Sequence, residues 1–269
     1  DTYWGGKSLT QDALYMSMAC EMGDPSLEKL RDLARTALSD WYTYTPGEKE
    51  HYFARYSAWK ALVGFNESYG SSQFTDNHFH YGYFTKATGL LGLYDPAFLK
   101  DFGEIARLVA KQYANWDRQD LDFPFLRTFD IWEGHSNAGG SSSPGGNNQE
   151  SSSEAMQSWG GLFLLGQAMG DEKMTAVGAM GHAMEAEATM EYWFDRNREN
   201  FSSNYQHEVT GILFGGGRAY ATYFSGDPAW IYGIQWLPES PILEYLAEDP
   251  VFARRKFEDM MKARKVKEG

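Results

Sequence analysis

Two glutamates four residues apart mark the stretch of the sequence in which chemistry is first expected. Glu150 and Glu154 lie within residues 147–155, directly before an apolar period typical of a helix that ends before Gly170. On the first turn of a helix, residues four apart point the same way, so the two carboxyl groups would lie side by side. Their repulsion would raise the pKa of one of them, and the positive helix end would favour negative charge. Such a pair has the perturbed acidity that acid–base chemistry uses.

The same residues also allow a purely structural interpretation. Ser151 and Glu154 fit a capping box, in which a hydroxyl and a carboxylate satisfy free N–H groups at a helix start. The glutamates would then form only a solvated acidic turn. The setting favours chemistry, because a Gly/Ser/Pro-rich loop over residues 139–146 precedes them and a third carboxyl group stands in a comparable position elsewhere.

That third carboxyl group belongs to Asp76, which stands just before another apolar period of helical spacing. An aspartate in this position is most often a helix N-cap, and the functional alternative is a catalytic carboxyl group. His78 and His80 also invite a metal interpretation, because alternate residues share one side of a strand. On a helix the two rings point to nearly opposite sides. The period that begins at Phe79 favours a helix, so we predict no metal site.

Residues 117–148 have no sustained period and are rich in Gly, Ser and Asp. Loops of this length inside a compact domain are usually functional or disordered. Within the loop, Arg127 and Asp130 could simply form an ion pair. Ser136 beside His135 is not a nucleophile pair, because the strand–turn–helix elbow of serine hydrolases is missing from the sequence.

Three separated carboxyl groups beside aromatic, glycine-rich loops suit glycoside hydrolysis. This reaction needs one protonated acid for the leaving oxygen and one carboxylate on the opposite side of the sugar. The composition agrees with a sugar substrate, since 16% of the residues are aromatic and the formal charge is −13. That charge argues against nucleic acid and anionic membranes as partners, because both require basic patches.

Chain length, cysteine content and hydrophobicity also limit the possible folds. The 269 residues can bury a substantial core, and a single cysteine, Cys20, excludes an intramolecular disulfide. No stretch approaches the roughly 20 apolar residues that a membrane-spanning helix needs. The sequence begins without a signal peptide, so localisation cannot be read from it.

Helical periods dominate the elements that must position these residues. We predict helices over residues 10–22 with Thr10 as N-cap, 24–41, 52–65, from 76, from 95, over 153–169, over 172–194 and from 250, with short strands within 209–234. The pattern of consecutive helical hairpins predicts a mainly all-α fold. An (α/α)6-toroid-like ring with an active site at one mouth fits this order, with some helices missing or shortened.

Six motifs together resemble glycoside hydrolase family 81, the endo-β-1,3-glucanases. They occur in family order at residues 4–7, 76–83, 127–130, 134–136, 148–155 and 225–238. The resemblance implies an (α/α)6 catalytic domain over residues 1–269, with the β-sandwich domain that normally precedes it absent from this chain. It also implies cleavage of internal β-1,3-glucosidic bonds by an inverting mechanism without metal or organic cofactor.

Carried over motif by motif, the resemblance assigns roles to named residues. Asp76 would be the general acid, Glu150 the general base, and Glu154 would hold the water or tune Glu150. The implied substrate contacts are His80, Tyr81, Arg127, Asp130, His135, Trp132 and Trp230. The two tryptophans are either stacking platforms or plain core residues. Asn77 and Asn137 depart from the family pattern, so a neighbouring subsite would be altered.

Two further hypotheses stay open at this stage. One is a truncated glucan-binding protein with impaired catalysis, and the other is a metal-dependent hydrolase built on His78, His80 and His135. For the leading hypothesis, the expected partner is a β-1,3-glucan, with neither nucleic acid nor membrane. The expected state is a monomer, secreted or extracellular by family resemblance.

Overall fold

A computed structural model describes residues 1–140 and 147–268 of the chain, with side chains described up to residue 265. In these residues the helices are α1 (Trp4–Met22), α2 (Leu27–Trp41), α3 (Asn77–Tyr94), α4 (Pro96–Ala114), α5 (Ser152–Met169), α6 (Glu172–Ala188), α7 (Pro228–Gly233) and α8 (Pro250–Glu268). The strands are β1 (Tyr52–Tyr56), β2 (Ala61–Phe65), β3 (Phe129–Asp130), β4 (His135–Ser136), β5 (Asn148–Gln149), β6 (Ile212–Phe214) and β7 (Gly217–Ala219). The expectation of a mainly helical fold with a few short strands is confirmed.

The first six helices form three consecutive hairpins in two layers. The first helices of the hairpins, α1, α3 and α5, pack side by side, and each second helix packs against its own partner. The layering follows from the sequence. Helix α3 is buried along residues 77–92, whereas α2 and α4 bury one apolar stripe and expose their other residues.

Glycines allow α3 and α5 to approach closely and show that the two helices run parallel. A Cβ atom added to Gly82 would lie 2.6 Å from Cβ of Ser158, and one added to Gly161 would lie 2.8 Å from the backbone nitrogen of Lys86. Successive contacts therefore advance in the same direction along both helices. Parallel packing places the amino-terminal ends of both helices at the same end of the bundle, where Asp76 and Glu154 stand.

Helix α1 runs in the same direction as α3. The Thr10 hydroxyl donates to the Tyr83 carbonyl oxygen near one end of the pair, and Ser17 contacts the Tyr94 hydroxyl near the other. All three inner helices thus begin at one end of the bundle. The chain segments around these three starts carry the candidate chemistry described below.

Residues 52–65 form a β-hairpin, so the prediction of a helix there is wrong. Strands β1 and β2 are antiparallel, with Tyr52 opposite Phe65 and Tyr56 opposite Ala61. Phe53 and Leu62 are buried in the main core, which supplies packing that a local helical period cannot anticipate.

Helix α1 begins at Trp4 rather than at the predicted Thr10. Gly5 and Gly6 are poor helix formers, but a Cβ on Gly6 would lie 3.0 Å from Cβ of Tyr83, so tertiary packing requires a small residue there. The predicted ends at Gly23 and Gly170 are confirmed, since both residues adopt left-handed conformations after their helices. The helical continuation to residue 194 includes a π-helical turn at Thr189–Trp193.

The chain after α6 builds a smaller second core and a three-stranded sheet. Strand β5 pairs with β6, and β6 pairs with β7, all antiparallel. The predicted strands within residues 209–234 are thus partly right, because residues 220–224 lie outside the strands. The predicted loop over residues 139–146 extends into residues 141–146, which lie outside the described residues. In the described part of the chain, none of the helices is both long enough and apolar enough to cross a membrane.

Candidate active site

Asp76 is fixed by its backbone immediately before α3. It adopts a left-handed conformation with φ of 54°, and its N–H donates to the Ala138 carbonyl oxygen at 2.9 Å. Its own carbonyl oxygen accepts from the N–H groups of Phe79 and His80. Within the described residues the side chain makes no capping hydrogen bond, so the N-cap interpretation is wrong. The carboxyl group remains available for another purpose.

The surroundings of Asp76 favour its protonated form. Burial, together with the negative charges of Glu154 and Glu150, raises the pKa of Asp76 to about 8. The contribution of the two glutamates follows only from the parallel packing of α3 and α5.

Glu150 is held at the end of β5, just before α5. Gln235 links the two elements, because its Oε1 atom accepts from the Ser152 N–H at 3.0 Å and its Nε2 atom donates to the Glu150 carbonyl oxygen at 2.9 Å. Oε1 of Glu150 accepts from the N–H of Tyr223 at 2.7 Å. Burial and the charge of Glu154 raise the pKa of Glu150 to about 7, although the hydrogen bond from the Tyr223 N–H opposes this shift.

Glu154 is enclosed by a cation and a hydrogen-bond donor from two other helices. Lys7 from α1 places its Nζ atom 3.2 Å from Oε1 of Glu154, and the hydroxyl of Tyr83 from α3 donates to the same oxygen at 2.5 Å. Only 6% of the Glu154 side chain is exposed. Ser151 caps α5 by accepting from the Glu154 N–H, which confirms half of the predicted capping box. The carboxylate faces Lys7 and Tyr83 and is not used for the reciprocal bond.

A second buried carboxyl group, that of Glu185, lies behind strand β5, which ends directly before Glu150. Oε2 of Glu185 accepts from the Ser136 hydroxyl and from Nε1 of Trp159, both at 2.6 Å. Its Oε1 atom accepts from Nε2 of Gln149 at 3.5 Å. Glu185 therefore connects α5, α6 and strands β4 and β5 behind the site. Sequence reasoning missed it, because a glutamate inside a helix gives no local signal of burial.

Three of the expected substrate contacts are enclosed in protein. Tyr81 is fully buried in the core, and its hydroxyl accepts from the Gly64 N–H. His80 is fully buried, and Nδ1 lies 2.8 Å from the Thr2 hydroxyl. His135 is buried against Trp193. In this structure the three side chains contact protein groups and present little or no surface to a sugar.

Arg127 also holds protein groups together. It donates from Nε to the Gln112 carbonyl oxygen at 2.9 Å and from Nη2 to Oδ1 of Asn77 at 2.9 Å. These contacts differ from the ion pair with Asp130 that the sequence offered as a structural alternative. Oδ1 of Asp130 instead accepts from the N–H groups of Trp132 and Glu133. Arg127 thereby fastens the loop to the start of α3, next to Asp76.

The two predicted tryptophan platforms are accessible. Trp132 is 95% exposed and Trp230 is 51% exposed, so the alternative that they are core residues is wrong. The ring of Trp230 makes an edge contact with Phe224 at a centroid distance of 5.9 Å. Tyr223, the neighbour of Phe224, holds Glu150, which places this aromatic group on the Glu150 side of the site.

The histidines of the metal hypothesis are used in other contacts. Nε2 of His78 lies 3.1 Å from Oε1 of Gln149, and burial lowers the pKa of His78 to about 3. Burial, together with the nearby Lys7 cation, likewise lowers the pKa of His80 to about 3. Among residues 1–140 and 147–268, no three His, Cys, Asp or Glu side chains are grouped as metal ligands would be.

Several residues of the site escaped the sequence-based assignment. Lys7 lies in the family motif at residues 4–7, and Gln235 lies in the motif at residues 225–238. The motifs therefore pointed to both residues, but the sequence did not indicate what either residue does. Tyr83 lies in the motif that contains Asp76. Tyr223 acts through its main chain, which no residue type could have indicated.

Comparisons with known proteins match this chain to one enzyme family. The sequence model of the glycosyl hydrolase family 81 C-terminal domain matches residues 1–269. A glucan endo-1,3-beta-D-glucosidase of Acetivibrio thermocellus is 37% identical over 267 residues, and one of Thermobifida fusca is 34% identical over 259 residues. These alignments cover 97% and 94% of this chain but 34% of each relative. The chain thus spans about a third of the length of these curated relatives.

A solved structure gives the same result for the fold. It is a glycoside hydrolase family 81 protein from Clostridium thermocellum, studied as a glutamate-to-alanine mutant. The superposition has a TM-score of 0.93 at 37% identity and covers 98% of this chain and 38% of that chain. The match of sequence and of backbone over nearly the whole chain leads to one conclusion: this chain belongs to glycoside hydrolase family 81.

Proposed function

We propose that this chain, as a single catalytic domain, hydrolyses internal β-1,3-glucosidic bonds in β-1,3-glucans such as laminarin, curdlan and fungal wall glucan. Asp76 is the general acid, Glu150 is the general base, and Glu154 supports both by its charge. The observation that carries the proposal is the meeting of three carboxyl groups in different surroundings at one end of the parallel inner helices. The names of the relatives support the choice of substrate.

The reaction is a single displacement. Asp76 transfers its proton to the glycosidic oxygen as the bond between that oxygen and the anomeric carbon breaks. Glu150 accepts a proton from a water molecule, whose oxygen forms a new bond to the anomeric carbon from the opposite face. The products are two shorter glucans, and the configuration of the new reducing end is inverted. The raised pKa of Asp76, about 8, keeps the acid protonated at neutral pH.

The division of labour between the two glutamates follows from their partners. An oxygen of Glu154 already accepts from Tyr83 and lies beside Lys7, so this carboxylate is occupied by protein groups. Glu150 accepts from a main-chain N–H and is more exposed, which leaves lone pairs for a water molecule. Glu150 is therefore the group that activates water, and the fixed charge of Glu154 raises the pKa values of its two neighbours.

The substrate contacts are drawn from the accessible side chains. Trp132 and Trp230 offer exposed ring faces, which can stack on the C–H faces of glucose rings. Asp130 holds the turn that presents Trp132. We further propose that the chain acts as a monomer outside the cell, where a polymeric wall glucan is accessible.

The direct test is release of reducing ends from laminarin and curdlan by the wild type and by Glu150→Gln, each with and without EDTA. We expect turnover that survives the chelator and collapses in the variant, with inverted products by NMR. Loss of activity in EDTA would support the metal-dependent alternative. Binding without turnover in the wild type would contradict the catalytic proposal and support a glucan-binding protein with impaired catalysis.

A further inference from the structure

Three aromatic residues form a surface group on the Glu154 side of the site. Trp4 is 58% exposed, Tyr69 is 60% exposed, and the partly buried Tyr3 lies between them. The ring centroid of Tyr3 is 5.2 Å from that of Trp4 and 5.1 Å from that of Tyr69, both in edge contacts. We call these three rings the Trp4 platform. The proposed mechanism gives them no role.

The Trp4 platform is connected directly to the carboxylates. Nζ of Lys7 donates to the Tyr3 hydroxyl at 2.6 Å and lies 3.2 Å from Oε1 of Glu154. The Tyr3 hydroxyl also interacts electrostatically with Glu154, Tyr69 and Glu150. The platform therefore adjoins Glu154, both through the Lys7 ammonium group and through the Tyr3 hydroxyl.

The fold gives a reason why Trp4 faces outwards. On the next two positions of α1, Gly5 packs against the ring of Trp41 and Gly6 against Tyr83, so glycines occupy the inward face at this turn. Tyr69 is held in a left-handed conformation, with φ of 50°, by the loop before α3. Both exposed rings are placed by packing of their neighbours, and their own apolar faces stay uncovered in the described structure.

The chemistry of this surface suits a glucose unit. A pyranose ring has an apolar C–H face that stacks on an aromatic ring and a rim of hydroxyl groups that requires hydrogen bonds. The Trp4 platform offers both, because the Trp4 and Tyr69 rings lie beside phenolic hydroxyls and the Lys7 ammonium group. The exposed Trp230 and Phe224 provide the corresponding rings on the Glu150 side.

We propose that Tyr3, Trp4 and Tyr69 form a glucosyl-binding subsite next to Glu154, so that a β-1,3-glucan is held on both sides of the carboxyl groups. This inference rests on the proposed function and extends it. Trp4 and Tyr69 are the stacking residues, and Tyr3 positions Lys7 between the bound sugar and Glu154. An enzyme that cleaves internal bonds needs sugar contacts on both sides of the cleaved bond, and this subsite supplies the second side.

The test measures binding and turnover separately. Trp4→Ala and Tyr69→Ala are compared with Trp59→Ala, whose tryptophan is 72% exposed at the turn of the β1–β2 hairpin and serves as the matched control. Binding of laminarihexaose is measured by calorimetry in a Glu150→Gln background, and kcat/KM is measured on laminarin and on laminaritriose. Melting temperatures verify that each variant is folded.

We expect Trp4→Ala and Tyr69→Ala each to weaken hexaose binding by about tenfold, the size expected when an aromatic stacking contact is lost. The loss of kcat/KM should be larger on laminarin than on laminaritriose, and Trp59→Ala should match the wild type. Tyr69→Phe, which keeps the ring, should bind within about twofold of the wild type, because stacking carries most of the contact.

Wild-type hexaose binding in both alanine variants would overturn the subsite. An equal loss of kcat/KM on laminaritriose and laminarin would also overturn it, because the residues would then act on the cleavage step rather than on chain binding. Failure of the proposed function gives a different result. The wild type would release no reducing ends, whereas the binding comparison would remain measurable.

Discussion

Glu150 and Glu154 stand four residues apart at the start of α5, yet the fold supports them in opposite ways. Glu150 is held through a main-chain N–H of an exposed loop, and burial raises its pKa to about 7. Glu154 is held by side chains of two other inner helices, the Lys7 ammonium group and the Tyr83 hydroxyl. One carboxyl group is left free to change its charge near neutral pH, and the other is paired with a fixed cation.

The comparison shows how a pair of like charges can take two roles. A carboxylate that must accept a proton needs free lone pairs and a pKa close to the working pH. A carboxylate that raises the pKa values of its neighbours must keep its own charge, which requires a cation and hydrogen-bond donors. In the structure, Glu154 contacts the Lys7 ammonium group and the Tyr83 hydroxyl, whereas Glu150 accepts a hydrogen bond from the main-chain N–H of Tyr223.

The largest expected effect is that of Glu150→Gln. Glutamine keeps an oxygen that can accept from the Tyr223 N–H, but it cannot take a proton from water. We expect kcat to fall by about a thousandfold with little change in melting temperature. Glu172→Gln, an exposed glutamate at the start of α6, is the control and should leave both quantities unchanged. Retained turnover in Glu150→Gln would remove this residue from the mechanism.

Glu154→Gln tests whether the second glutamate acts through its charge. In the wild type, kcat/KM should rise with pH as Glu150 ionises near pH 7 and fall as Asp76 loses its proton near pH 8. The negative charge of Glu154 raises both pKa values, so its removal lowers them. Both limbs of the profile should therefore move to lower pH, by about one unit. Unmoved limbs would show that Glu154 does not set these acidities.

Lys7→Met tests whether stability and activity require the cation that pairs with Glu154. It leaves the carboxylate of Glu154 buried without its ion-pair partner, while Lys7 itself is 27% exposed, so solvent reduces the effect. We expect the free energy of unfolding to fall by about 1–2 kcal/mol and kcat/KM to fall by about tenfold. Lys29→Met, on the exposed face of α2, is the matched control in denaturant titrations. Equal stability of both variants would contradict the pairing.

Tyr83→Phe should have the smallest effect. It removes the hydroxyl that donates to Oε1 of Glu154 and keeps the ring, which is fully buried in α3. We expect the free energy of unfolding to fall by about 1–2 kcal/mol, the value of a hydrogen bond to a charged group, with a loss of kcat of less than about fivefold. A stability loss much larger than that of Lys7→Met would shift the main support of Glu154 from the cation to the tyrosine.

Much of the fold was accessible from local patterns. Asp95 and Ser151 were recognised near helix starts, and both accept from N–H groups of their own first turns. The prediction of a helix over residues 52–65 was wrong because the apolar residues there fit a helical spacing as well as a strand alternation. Packing of Phe53 and Leu62 into the core decided between the two.

The candidate site was predictable in its residue types and less so in its assignments. Asp76, Glu150 and Glu154 were identified by motif, and the packing of α3 and α5 brings them together. Tyr81 and His80 look like sugar contacts in sequence, since aromatic and histidine side chains serve both functions. Their complete burial is a property of α3 in its layer, which no local pattern contains.

The sequence by itself determined the helical hairpins, the caps, the three carboxyl groups and the family resemblance, because each depends on residues close together in the chain. The tertiary structure decided which carboxyl groups have raised pKa values and which one is ion-paired. Desolvation and Coulomb interaction depend on distance in space, and only the parallel packing of α1, α3 and α5 brings Lys7, Asp76 and Glu154 together.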